Sequence, residues 1–226
     1  MLRRRRRDRE GRRVRETMPR VSVVVSTYRR LERLEGILMA WLAETPNVWL
    51  ADSSGRFETA LPIKHVRFSP DPGSKNRHAI ALLTDGDYVI KADDDVLPRP
   101  GLIADFLKYA CLCGILGLMG RTFHGPKYYG DTRPLQAHDV PRPIRVDMVG
   151  IVTFTPRKFL AFDLRGCASA IEDLFWHMGA FPATPKYVIP TTSYELFQND
   201  AGCLFSDPKA RAEREVFYRA HYRQKR

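Results

Sequence analysis

Three consecutive aspartates, Asp93-Asp94-Asp95, close the apolar run DYVIKADDDV. Side chains alternate along a strand, so Asp93 and Asp95 are expected on one side of its end. Two carboxylates placed that way are hard oxygen ligands for Mn²⁺ or Mg²⁺, bound together with substrate phosphates. In a loop the same triplet would read as solvated surface. Behind a buried-looking strand, uncompensated acids are costly and call for a partner.

Two further groups carry chemistry. Ser74-Lys75-Asn76-Arg77 opens a helical stretch. A helix start favours anions, and Arg77 adds a planar fork suited to phosphate or to the aspartates. The same residues also suit a basic surface with Ser74 as a cap. Glu172-Asp173 begins the helix expected over IEDLFWHMGAF. Acids in a first turn are stabilised by the helix dipole. The chemical alternative is a general base that takes a proton from an incoming hydroxyl. His177, one turn after Asp173, reads as structural. Cys111 and Cys113 are expected in the core, or half-buried, in an apolar helix.

The elements that must position these groups are legible in order. VSVVVST (21–27) is a β-branched run of the kind buried on both sheet faces. Leu31, Leu34, Ile37, Leu38, Trp41 and Leu42 keep helical spacing over Arg29 to Glu44. Short strands VWLAD and IKHVRF follow, then a helix from Ser74 to Leu83, the DYVIKADDDV strand, and a helix through Leu102, Ile103, Phe106, Leu107 and Tyr109. This order predicts an α/β fold, with a largely parallel sheet and helices on both faces. Ligands of such sheets sit beyond the carboxyl ends of the strands. The polar clusters STYRR, DSSG and ADDDV all fall at those ends. Beyond them, ILGLMGRTF reads as a strand and RVDMVGIVTFTP as a strand or hairpin. Residues 124–143 read as a loop or lid, and a charged helix is expected from Pro208 to about Tyr222.

At 226 residues the chain is one large domain or two small ones. No run of about 18 apolar residues occurs, so no transmembrane segment is expected. Four cysteines without a CxxC pair predict neither a zinc ribbon nor a disulfide framework, and a reducing, cytoplasmic compartment. The net charge is +11, yet residues 1–20 hold ten arginines against three acids, which leaves the other 206 residues at only +4. The arginine-rich tail reads as disordered. It is either a solvated extension or a nucleic-acid arm. Met18 followed by PRVSVVVSTYRR looks like a natural domain start, and translation from there is expected to be an alternative.

VSVVVSTYRR, ADSSG and GSKNRHAIALLTDGDYVIKADDDVLPRPGL, followed by VDMVGIVTFTPRKF and AIEDLFW, together resemble family 2 glycosyltransferases with the GT-A fold. The resemblance covers about residues 20–180. It implies a single GT-A domain that inverts at the sugar and uses a divalent metal. The donor it implies is a nucleotide-diphosphate sugar with UDP, GDP or dTDP. It divides the chain into a tail (1–19), a nucleotide-sugar-binding half (20–114), an acceptor-binding half (115–206) and a C-terminal helix (207–226). It places Thr27, Tyr28 and Arg29 on the nucleoside, Asp52 with Ser53 at the base, and Arg77 at base or phosphate. It assigns Asp93 and Asp94 to ribose and sugar, Gly150 to the donor, Asp95 with Asp93 to the metal, and Asp173, with Glu172 beside it, to catalysis. Tyr28-Arg29 stand where members more often carry an asparagine.

Three other readings compete. A sugar nucleotidyltransferase would need a glycine-rich loop after the first strand, where this chain has STYRRLERL with no glycine before Gly36. A nucleic-acid-binding protein would spread basic residues over the folded body. A glycosyltransferase acting on modified DNA bases would combine the enzyme with the basic tail.

Overall fold

The β-branched run forms β1 (Val21–Thr27), and the alternation of its side chains builds the two layers of the core. Val23 and Val25 face one way, where helix α1 (Leu34–Glu44) lays Leu34, Ile37, Leu38 and Trp41 against the sheet. Val24 faces the other way and meets Ile80 and Ala81 of helix α2 (Asn76–Leu83). A computed structural model describes residues 18–163, 165, 167, 171–197 and 207–222. Residues 1–17 of the arginine-rich segment, on which the nucleic-acid reading rests, lie outside it.

β1 sits between β2 (Val48–Asp52) and β4 (Tyr88–Asp93), parallel to both, and β3 (Lys64–Arg67) extends the parallel set beyond β2. The register Thr27–Asp52 and Ser26–Asp93 aligns three carboxyl ends in one row. Helix α3 (Leu102–Lys108) covers the α1 face through Leu102, Ile103 and Phe106. The α/β fold expected from the sequence, with a central parallel sheet and helices on both faces, is therefore present.

Past β4 the sheet becomes mixed. The order runs β3-β2-β1-β4-β9-β6-β10-β8, with β7 on β6. Here β6 is Ile115–Phe123, β7 Thr132–Gln136, β8 Ile144–Val146, β9 Met148–Pro156 and β10 Lys186–Val188. β9 lies antiparallel to both β4 and β6, so the second half of the chain is joined to the first along β4. A separate ribbon pairs β5 (Val96–Pro98) with β11 (Tyr194–Leu196) just after the aspartates. Among the described residues no helix is long and apolar enough to cross a membrane.

Several expectations need correction. α1 begins at Leu34, not Arg29, because Arg30 is drawn onto the aspartates instead of entering a first turn. Residues 124–143 are not all loop: β7 pairs with β6 despite Pro134, which an edge strand tolerates. Cys111 and Cys113 are exposed on a 3₁₀ turn that follows α3. The IEDLFW helix, α4 (Glu172–Leu174), widens at once into a π-turn over Phe175–Ala180. The charged helix α5 (Pro208–Tyr222) stands where the sequence put it.

Candidate active site

β4 ends at Asp93, and Asp94 and Asp95 form a turn. Strand alternation therefore does not reach Asp95, and the expected shared orientation of Asp93 and Asp95 is not inherited from the strand. Each aspartate has its own partner. Asp93 accepts from Arg77 Nη1 at 2.5 Å. Asp94, buried, accepts from the Thr27 hydroxyl at 2.8 Å and pairs with Arg30 Nη2 at 2.6 Å. Asp95 pairs with Arg30 Nη1 at 2.5 Å. Its other oxygen, Oδ1, is buried with no hydrogen-bond partner among the described residues. A buried carboxylate oxygen left over, beside two more carboxylates, suits a hard divalent cation. No three of the described His, Cys, Asp and Glu residues gather into a complete protein cage. Burial pushes Asp93 above the usual carboxylate range; Arg77 opposes this, and Asp95, Asp94 and Glu172 add to it.

Arg77 joins the triplet to the acidic pair. Its Nε donates to Glu172 Oε1 at 2.8 Å, and Nη2 donates to the same oxygen. His78 Nε2 meets Glu172 Oε2 at 2.8 Å, and His78 Nδ1 lies 3.3 Å from Lys91 Nζ. Lys91 rests over the Trp176 ring, 3.0 Å from its centroid. The ring nitrogens are satisfied by a neutral imidazole, with Nε2–H donating to Glu172 and Nδ1 accepting from Lys91. Burial pushes Glu172 up, but Arg77 and His78 outweigh it and hold the carboxyl well below its ordinary range. Burial and Lys91 push His78 down to about 4, against Glu172. Burial also lowers Lys91.

At the end of β2, Asp52 is fully buried. Its Oδ1 accepts from the Ser54 N–H and hydroxyl at 2.7 and 2.6 Å, and Oδ2 meets His65 Nε2 at 3.1 Å. Burial raises its carboxyl, and the Ser54 and His65 hydrogen bonds outweigh that and leave it lowered. Ser53 accepts from Asn76 Nδ2 at 3.0 Å, which ties this turn to the start of α2. Tyr28 and Arg29 are exposed beside Thr27, the guanidinium lying over the Tyr28 ring.

The second half contributes differently. Asp173 accepts both terminal nitrogens of Arg214, at 2.8 Å each, and its Oδ1 also accepts the Leu174 N–H at 2.8 Å. Gly150 lies on β9 opposite Met119, and a Cβ there would meet only Met119 Cε at 4.0 Å. Packing thus leaves space at that position. The next residue, Ile151, has φ +65°, a strained value for a β-branched side chain. It falls one residue past the last β4–β9 pair, Ala92–Val152, where β9 parts from β4 beside the triplet. Such outliers concentrate at functional sites. His177 is buried against the Val149 carbonyl and is no ligand candidate.

The structure thus brings together Thr27, Asp93, Asp94, Asp95, Arg77 and Glu172, with Asp52 and Ser53 linked through Asn76. It sets Asp173 on a separate arginine. Sequence reasoning missed Arg30, His65, His78, Lys91 and Arg214. Arg30 and His78 each neighbour a residue already singled out; the others carry no local signal.

No family model and no curated protein matches the chain. Solved structures do. S. aureus TarS 1–349 superposes at TM-score 0.53 with 17% identity, over 77% of this chain and 59% of that one. TarS in complex with UDP-GlcNAc gives 0.58 and 16%, over 83% and 61%. The mannosyltransferase PcManGT from Pyrobaculum calidifontis, in complex with GDP-Man and Mn²⁺, gives 0.57 and 18%, over 92% and 65%. This chain spans about three fifths to two thirds of their lengths. At such identities the likeness is one of fold, and the fold is GT-A.

Proposed function

We propose that this chain is a metal-dependent, inverting glycosyltransferase that moves a hexosyl group from a nucleotide-diphosphate sugar to an acceptor hydroxyl. One observation carries the reading. Thr27, Asp52 and the aspartate triplet meet at the aligned ends of β1, β2 and β4, and Arg77 links Asp93 to Glu172. The ligands of the two similar proteins, UDP-GlcNAc and GDP-Man with Mn²⁺, support a sugar nucleotide and a divalent ion.

The exposed Tyr28 ring and Arg29, with Thr27, bind the nucleoside, and the Asp52–Ser53 turn with His65 closes the base end. Asp94 and Asp93 face ribose and sugar, and the space at Gly150 admits the donor. Asp95 and Asp93 would hold Mn²⁺ or Mg²⁺, which would supply positive charge against the leaving diphosphate. Arg77 and Arg30 add fixed positive charge beside it. Asp173 is the general base: each carboxylate of the pair is held by three donors, but the Asp173 side chain keeps 22% exposure, whereas Glu172 keeps 2%. The acceptor oxygen attacks the anomeric carbon as its proton passes to an Asp173 oxygen. The sugar–phosphate bond breaks, and its electron pair leaves on the diphosphate. One displacement inverts the carbon, by analogy with inverting hydrolases.

The test is a panel of UDP-, GDP- and dTDP-sugars in Mn²⁺, followed by slow donor hydrolysis with water as acceptor. Asp173→Asn is expected to lower turnover by about two to four orders of magnitude with donor KM little changed, the range for a lost general base. Hydrolysis of no donor in the panel, or full turnover in Asp173→Asn, would overturn the reading.

A further inference from the structure

The C-terminal helix is tied to the acidic pair more firmly than helix packing requires. α5 buries one face through Ala210, Arg214 and Tyr218, spaced four residues apart. In the middle of that stripe sits an arginine only 5% exposed. Burying a guanidinium is expensive unless it is paired with good geometry. Arg214 Nη1 donates to Asp173 Oδ1 and Nη2 to Asp173 Oδ2, both at 2.8 Å, so the fork fixes the plane of the carboxylate.

The arginine is itself held from elsewhere. Its Nη2 also donates to the Tyr128 hydroxyl at 2.8 Å, and its guanidinium lies 5.0 Å from the Tyr128 ring centroid. Glu215, the next residue, accepts the backbone N–H of Tyr128 and of Tyr129, each at 3.0 Å. One helical turn on, the Tyr218 hydroxyl donates to the Gly125 carbonyl at 2.7 Å. Tyr128, Met148, Leu174, Met178 and Tyr218 form a small apolar cluster of their own around this contact. Arg214 is therefore fixed by α5 and by the 125–129 segment, independently of Asp173. It acts as a stop against which Asp173 is set. Glu172, one residue earlier, is set by Arg77 and His78 of α2. Each half of the molecule thus holds one carboxylate of the pair.

We infer that Arg214 is the positioning residue of Asp173, and that α5 with Tyr128 is part of the acceptor half's working machinery. This rests on Asp173 being the base. A base serves only when its oxygen faces the hydroxyl, and displacement by about 1 Å can cost about 100-fold.

The probe is hydrolysis of the panel's best nucleotide sugar in Mn²⁺, measured on the full chain as kcat and KM alongside a thermal melt. Arg214→Ala is expected to lose about 10- to 100-fold in kcat with donor KM within about twofold. Arg214→Lys, which cannot grip both oxygens, should recover part of the loss, and dilute guanidinium should restore Arg214→Ala several-fold. In an Asp173→Asn background, Arg214→Ala should cost nothing further, whereas a mere fold staple would add its full loss there. If Arg214→Ala does not fold, Tyr128→Phe removes only the hydroxyl and should show a smaller fall in kcat alone. Wild-type kcat in Arg214→Ala or, where that fails to fold, in Tyr128→Phe, beside an impaired Asp173→Asn, overturns the role of Arg214 and leaves the base assignment standing. So does an undiminished loss in the double variant. Wild-type turnover in Asp173→Asn overturns the base assignment and the Arg214 role with it.

Discussion

Arginines govern this site as much as aspartates do. Arg30 balances Asp94 and Asp95, Arg77 balances Asp93 and Glu172, and Arg214 balances Asp173. Removing Arg30 leaves a buried Asp94 uncompensated. Arg30→Ala is expected to cost about 1–3 kcal/mol, between the values for surface and buried pairs. Millimolar Mn²⁺ should restore more of its melting temperature than it adds to wild type. An equal Mn²⁺ shift in both proteins would argue against a cation at these carboxylates. His78 gives a pH signature. The unfolded chain takes up its imidazole proton near pH 6.5, while the folded ring resists until about 4. Its contribution to stability is complete above pH 6.5 and is lost as pH falls towards 4. At about 1.4 kcal/mol per pKa unit, the loss reaches about 3 kcal/mol. Urea midpoints at pH 7 and 4.5 should fall less steeply for His78→Asn than for wild type; parallel slopes would mean that the ring already carries its proton. The aspartates, Arg77 and Glu172 were legible because residue type and a preceding strand or helix start suffice to mark them. Arg214 was not, since it reaches Asp173 across 41 residues of chain. Lys91 was hidden as one charge inside an apolar strand.

Helix α5, like strands β1, β2 and β6, stands where the sequence put it. Asp207 caps it, its Oδ1 accepting from the Lys209 and Ala210 N–H groups at 2.8 and 3.4 Å, and Pro208 takes the first helical position. Both signals are local, so the helix start could be read directly. Asp207→Ala should cost about 1 kcal/mol, the usual worth of such a cap, in a urea titration. No change in midpoint would mean that tertiary contacts alone hold the helix. Elements fixed by distant partners were harder to read. β7 lies inside a stretch whose prolines and glycines suggest a loop, and it becomes a strand only because β6 offers an edge. β11 has three residues and is defined by its pairing with β5. Neither the widening of α4 into a π-turn nor the positive φ of Ile151 leaves a mark in hydrophobic spacing.

Across the whole molecule, the parallel strands β3-β2-β1-β4 and the mixed strands beyond β4 meet at one seam, and the aspartates end the strand that forms it. The parallel half was legible because its strands are short runs set apart by turn residues, with helices following β1 and β3. The antiparallel joining of β9 to β4 was not, because it pairs residues about 60 apart, such as Ile90 with Phe154. Isothermal titration of a nucleotide sugar in Mn²⁺, comparing wild type with Asp95→Asn, probes that seam directly. Asp95→Asn keeps the shape of the side chain and removes the charge of the carboxylate whose Oδ1 has no hydrogen-bond partner among the described residues. We expect wild-type binding to vanish with EDTA, and Asp95→Asn to bind at least about tenfold more weakly in Mn²⁺, as loss of a charged ligand to a bound ion implies. Equal affinity in the two proteins, or wild-type binding untouched by EDTA, would mean that the aspartate triplet does not hold a metal for a sugar nucleotide.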